Sequence, residues 1–274
     1  MNLSKLFQVS AVVVGFGYTA HGSDLFGVQL GVGPTDLYSV SQTTGNLSSI
    51  GSSGFDNLGD LTSDTRPGSQ HIWGITLDSK ELLEFNPITG AATSVATLNS
   101  RNAMVSIAFD PISGVLYGNT TPFYSGGEPD TLYRIDPATG NTTPVGLIGF
   151  SETYGLAFDQ SGNLFGTSIG GTQLISINTA TGAGTSIGVV GSGQSFDIAS
   201  RPEDNVMFAA STAGNLYKLD TGTGGTTLVG PYGSSANIVG LAFSSASVPD
   251  GGATGALLGL GIASLAVIKR RATK

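Results

Sequence analysis

The chain has 274 residues, 42 of them glycine, with 11% charged side chains, no cysteine and a formal charge of −8. That length can bury a large core, and much Gly, Ser and Thr with few charges suits an all-β fold with many turns. Disulfides, thiolate catalysis and cysteine-ligated zinc are excluded. Six Lys or Arg face eighteen carboxylates between Ser23 and Ser244, which argues against the clustered positive charge that nucleic acid requires.

Residues 1–22 read as a secretory signal peptide. Lys5 supplies the positive start, Leu6–Tyr18 is a mostly apolar run of thirteen residues, and Ala20-His21-Gly22 places small residues beside a cleavage point before Ser23.

Residues 23–244 form a five-fold repeat. Its most regular stretch occurs as DLYSVSQTTGNLSSIG (36–51), LLEFNPITGAATSVA (82–96), LYRIDPATGNTTPVG (132–146), LISINTATGAGTSIG (174–188) and LYKLDTGTGGTTLVG (216–230). Each copy reads as a strand, a tight turn and a returning strand. The turn glycines Gly45, Gly90, Gly140, Gly182 and Gly224 are 45, 50, 42 and 42 residues apart, a spacing in the range of propeller blades. Four residues before them stand Ser41, Asn86, Asp136, Asn178 and Asp220, short side chains that accept a hydrogen bond from the backbone two residues on and so start a turn. Glycine then closes the turn in the left-handed conformation. Turn chemistry explains the motif without a ligand.

A second element precedes each hairpin with the order aliphatic, aromatic, small: Leu25-Phe26-Gly27, Ile72-Trp73-Gly74, Leu116-Tyr117-Gly118, Leu164-Phe165-Gly166 and Met207-Phe208-Ala209. The small residue suits a crowded strand position, and Trp73 falls on a packing position. A third element, of the type Gly155-Leu156-Ala157-Phe158, precedes the second in four repeats and recurs as Gly240-Leu241-Ala242-Phe243 at the end of the region. The first repeat has no such strand in front of it. The expectation is a five-bladed β-propeller of four-stranded blades, closed by pairing an N-terminal with a C-terminal strand, so that no sheet edge is left from broken pairing.

Chemistry is sparse. His71 is the one histidine outside the signal, so no His-based triad or multi-histidine metal site can be built, and no nucleophile elbow, phosphate loop or EF-hand pattern is present. No cofactor or metal is expected. Asp60 and Asp197 take the inner-strand position held by Ser106, Gly155 and Gly240 in the other repeats. As an acid/base pair in the channel they would suit glycoside cleavage; as hydrogen-bond acceptors for backbone groups they would serve structure instead. Residues 121–130, with Phe123, Tyr124, Glu128 and Asp130, form the longest inserted loop and the candidate binding surface.

Beyond Phe243 a Ser/Ala spacer leads to Val248-Pro249-Asp250-Gly251-Gly252, with spacer and motif together spanning 245–252. An uncharged apolar run at 253–268 follows, then a basic tail at 269–274. The run would make about 24 Å of helix, slightly short for a bilayer core, and its basic end would stay cytoplasmic with the propeller outside. This three-part plan resembles the PEP-CTERM class of bacterial sorting signals in its VPDSG-CTERM form, with Gly251 where that form has Ser. The resemblance implies an exosortase-like processing enzyme as partner, with Val248, Pro249, Asp250, Gly251 and Gly252 as its recognition residues. It also implies membrane anchoring by the C-terminal helix, followed by transfer to the cell surface or extracellular polysaccharide. The repeat region resembles the uncharacterised propeller-like domains that accompany such tails. The sequence thus favours an exported, non-catalytic binding or structural module of the cell envelope; the alternative is a secreted glycoside hydrolase using Asp60 and Asp197.

Overall fold

The computed structural model describes residues 22–244 except 32, 67, 70, 122–128, 169–171, 192–194 and 234–236, with backbone alone at 195 and 196. The predicted signal peptide, sorting motif and C-terminal helix therefore lie outside the described residues, as do Phe123, Tyr124 and Glu128. Among the described residues no helix is long and apolar enough to cross a membrane.

In chain order the strands are β1 (Leu25–Gln29), β2 (Asp36–Val40), β3 (Leu47–Ser52), β4 (Leu58–Ser63), β5 (Ile72–Thr76), β6 (Glu81–Phe85), β7 (Ala92–Thr97), β8 (Met104–Phe109), β9 (Leu116–Thr120) and β10 (Thr131–Ile135). They continue as β11 (Thr142–Leu147), β12 (Thr153–Phe158), β13 (Leu164–Ser168), β14 (Gln173–Ile177), β15 (Gly184–Val189), β16 (Ser195–Ser200), β17 (Met207–Ser211), β18 (Asn215–Leu219), β19 (Thr226–Pro231) and β20 (Ile238–Phe243). They form five antiparallel four-stranded sheets: β4–β7, β8–β11, β12–β15, β16–β19, and a first blade in the order β20-β1-β2-β3. In that blade Leu25 pairs with Phe243 and Phe26 with Ala242. The expected closure between the two ends of the chain is present. The five innermost strands touch in the cycle β20, β4, β8, β12, β16 and back to β20.

The core consists of five apolar wedges, one between each pair of neighbouring blades. Alternation on the second strand feeds two of them at once. Leu25 packs between the fifth and first blades and Phe26 between the first and second; Met207 and Phe208 divide in the same way between the last two wedges. The small residue that follows is crowded: a Cβ on Gly74 would lie 2.5 Å from the Phe85 ring, and one on Gly118 would lie 2.6 Å from Met104 Sδ. Trp73 packs on the wedge between the second and third blades, with its ring stacked 5.5 Å from that of His71.

The repeated turns follow the expected chemistry. The backbone amides of Ile88, Ala138, Ala180 and Gly222 donate to Asn86, Asp136, Asn178 and Asp220 at 2.8–3.0 Å. In the first blade Ser41 instead takes the amide of Thr44, three residues on, at 3.2 Å. The turn glycines have φ between 73° and 81°. They also do something the sequence did not suggest: each turn docks on the outer strand of the preceding blade. A Cβ on Gly90 would lie 2.3 Å from the Gly51 carbonyl oxygen, one on Gly182 2.5 Å from that of Gly146, and one on Gly45 2.4 Å from that of Gly230. Gly51, Gly146, Gly188 and Gly230 are the final glycines of the repeated motif, so the motif is both a turn and a clasp between blades.

Candidate functional site

The inner position of each blade lies beside a one-residue slip in strand register. Asp60, Ser106, Gly155, Asp197 and Gly240 pair across to Ile75, Asn119, Thr167, Ala210 and Val28 respectively. The structure thus confirms that these five residues are equivalent, and it brings the two acids together at the axis. The glycines make this possible. A Cβ on Gly240 would stand 2.9 Å from Asp60 Cα, and one on Gly155 would stand 2.8 Å from Asp197 Cα, so those inner strands press directly against the acid-bearing ones.

Asp60 and Asp197 are both fully buried. Asp60 accepts the amide of Leu61 at 2.6 Å on one oxygen, and on the other the Ile107 amide at 2.8 Å together with the Ser106 hydroxyl. Asp197 accepts the Leu241 amide on Oδ2. Each carboxyl therefore ties its own inner strand to that of the next blade, β4 to β8 and β16 to β20. The two also lie within hydrogen-bond reach of each other. Burial raises both pKa values, Asp60 to about 7 and Asp197 well above the ordinary value, and the charge on Asp60 raises Asp197 further. Two carboxylates in contact cannot both ionise in a low-dielectric core, so the pair keeps at least one proton. Asp60 is the acceptor, because three donors converge on it. The last proton is therefore assigned to Asp197, whose Oδ1 has no donor of its own within the protein. Tyr232 stands near enough for Asp197 to help burial raise its pKa, and it stays protonated.

The pair divides the axial space. On one side Leu30, Leu58, Leu77, Val105, Tyr154 and Val239 line a small apolar cavity of about 40 Å³. On the other, a cavity of about 30 Å³ is lined by Thr62, Ser63, Thr65, Gln160 and Ser200 together with Phe109, Phe158, Phe243 and smaller apolar side chains. This second mouth is the more polar of the two, with hydroxyl and amide groups beside aromatic rings.

Of the loop residues singled out from the sequence, only Asp130 is described, and it is not on the surface. It is 1% exposed and accepts the Thr153 amide at 2.6 Å, at the junction of the third and fourth blades. His71 is exposed and pairs with Glu84. Among the described residues no group of three His, Cys, Asp or Glu is arranged to hold a metal ion.

Comparison with known proteins bears on the fold and the tail. Residues 247–272 match the family model described as the VPDSG-CTERM motif, the kind of signal that exosortases process, which suggests export and surface association. No curated protein matches the chain. Among solved structures, a chain of a nidogen/laminin complex superposes with a TM-score of 0.59 at 9% identity, covering 83% of this chain and all of that one. A protein of unknown function from Bacteroides caccae gives a TM-score of 0.46 at 13% identity over 73% of this chain and 69% of that one. At such identity the first likeness speaks to fold alone. The chain carries a VPDSG-CTERM-type sorting motif behind a five-bladed propeller.

Proposed function

We propose that the protein is an exported, surface-sorted propeller that acts as a non-catalytic binding or structural module of the envelope or its polysaccharide. The observation that carries this reading is the engagement of Asp60 and Asp197. Glycoside cleavage needs two carboxyl groups about 5 Å or more apart, with the sugar between them. Here the two acids are in contact, closed off from solvent and bonded to the backbones of neighbouring blades. In this reading the tail is processed by an exosortase-like enzyme that reads Val248, Pro249, Asp250, Gly251 and Gly252. Contacts to polysaccharide come from the mouth around Thr62 and Gln160 and from the loop carrying Phe123, Tyr124 and Glu128.

A glycan array combined with a hydrolysis screen on the purified protein tests this. The expected result is retention of one class of polysaccharide with no release of reducing ends. Hydrolysis that vanishes in an Asp60→Asn, Asp197→Asn double variant of unchanged fold would establish the hydrolase instead. For the tail, mass spectrometry of surface protein is expected to find chains ending near Gly252; finding only chains ending at Lys274 would contradict processing.

A further inference from the structure

We propose that Asn119, Asp130 and Thr153 bind a hard, oxygen-preferring cation of the Ca²⁺ class at the junction of the third and fourth blades. One pair of equivalent positions, on the second strand of one blade and at the start of the inner strand of the next, meets in every described wedge. It is Val28 with Leu58, Ile75 with Met104, and Ala210 with Ile238 at three junctions, all apolar and buried. Between the fourth and fifth blades the positions fall on Thr167 and Ser195, and the Thr167 hydroxyl is partnered by the Gly155 amide at 3.2 Å. At the junction of the third and fourth blades it is Asn119 with Thr153, and Asp130 joins them. Their exposures are 0%, 0% and 1%. Two of the three replace apolar packing, and burying such polar side chains costs stability unless they find partners.

Their internal bonds leave a set of oxygens over. Asn119 Nδ2 donates to the Thr153 carbonyl at 2.7 Å, and the Thr153 amide donates to Asp130 Oδ2 at 2.6 Å. Both side chains are thus anchored on the backbone of one residue, Asn119 on its carbonyl and Asp130 on its amide, and the Thr153 side chain lies beside the Asp130 carboxyl. Asn119 Oδ1, Asp130 Oδ1 and Thr153 Oγ1 are buried and make no hydrogen bond within the protein. The Thr153 hydroxyl lies against the Asp130 carboxyl without the geometry of a full hydrogen bond. The donor carried by Asn119 is already engaged, so what faces inward is an acceptor-rich group of carboxylate, amide and hydroxyl oxygens. Those are the ligand types Ca²⁺ prefers, and its flexible coordination number lets water complete the shell.

Charge supports the same assignment. Burial raises the Asp130 pKa, the Thr153 and Glu152 amides lower it, and the negative charge of Glu152 raises it again. None of these groups is a cation. Glu152 adopts a left-handed backbone at φ 56°, an uncommon conformation for its residue type, with its amide turned toward Asp130. A bound divalent cation would offset both negative charges. It would also fix the foot of the 121–130 loop to the fourth blade.

The test is calorimetric titration of the full chain, stripped with chelator, with CaCl₂, together with its melting temperature in CaCl₂ and in chelator. One equivalent of Ca²⁺ is expected to bind with Kd on the order of 0.1–1 mM and to raise the melting temperature. Asp130→Asn keeps an acceptor for the Thr153 amide while removing the charge, and is expected to weaken binding at least tenfold. If that variant does not fold, the wild-type titration still decides the matter. Absence of both binding heat and a melting shift in wild type at 10 mM CaCl₂ would overturn the site. So would undiminished binding by a folded Asp130→Asn protein.

Discussion

Gly240 and Asp60 lie on neighbouring inner strands so close that a Cβ on the glycine would stand 2.7 Å from the Leu61 amide nitrogen and 2.9 Å from Asp60 Cα. The nearest atoms are backbone, so no side chain can swing aside. Gly240→Ala is therefore expected to destabilise the propeller by ~1–3 kcal/mol through overpacking. Chemical denaturation measures it, and an alanine variant as stable as wild type would mean that the inner ring is looser than described.

Closure of the ring rests on β20. Ile238, Val239, Leu241, Ala242 and Phe243 are all buried, and burying such side chains is worth about 1.5–3 kcal/mol for each large one, comparable in sum to the whole stability of a domain. Deleting residues 237–243 is expected to lower the melting temperature of the entire propeller rather than fray its first blade. A deletion variant melting at the parental temperature would refute the latch.

The outer clasp can be separated from simple backbone strain. Gly54 and Gly182 both have φ of 81°, but a Cβ on Gly54 meets nothing within 4 Å whereas one on Gly182 would meet the Gly146 carbonyl oxygen at 2.5 Å. Gly54→Ala is expected to cost about 1–2 kcal/mol from conformation alone. Gly182→Ala adds roughly 1–3 kcal/mol from the clash with the neighbouring blade. Equal losses in urea unfolding would show that the turn does not bear on the next blade.

Much of this architecture was legible in the chain. Five copies of one turn, with an inner strand missing at the start and present at the end, imply the blade count and the latch, because turn chemistry and strand pairing are local or repeat-wide. Contacts across the ring were harder to read. The final glycine of LYRIDPATGNTTPVG looked like the end of a strand, and only the three-dimensional register shows Gly146 receiving the Gly182 turn. Asp60 and Asp197 were found as inner-strand acids, but their mutual contact depends on the diameter of a five-membered ring and on two glycines elsewhere in it. The Asn119–Thr153 pair did leave a trace: Asn119 stands at a repeat position that is apolar in three of the other blades, at Val28, Ile75 and Ala210, and is Thr167 in the fourth. That trace emerges only when the repeats are aligned in the correct strand register, which the one-residue slip obscures.

The proton shared by Asp197 and Asp60 gives the most direct test that the inner acids serve architecture. Both folded-state pKa values are raised, so the folded protein holds a proton that the unfolded chain releases. Stability from this pair is full below the ordinary carboxyl pKa and is lost as pH rises, toward about 7 for Asp60 and over its own raised range for Asp197, with a slope of about 1.4 kcal/mol per pH unit for each proton released. Asp197→Asn supplies a permanent N–H in place of that proton while its oxygen still accepts the Leu241 amide. Asp60→Asn instead turns an amide group toward donors, at a cost of ~1–3 kcal/mol. The decisive measurement is urea unfolding of wild type and both variants from pH 5 to pH 8. The account predicts that Asp197→Asn is close to wild type at pH 5 and more stable at pH 8, and that Asp60→Asn is weakened throughout. An Asp197→Asn protein that keeps the wild-type pH slope, or is the more damaged of the two, would contradict it.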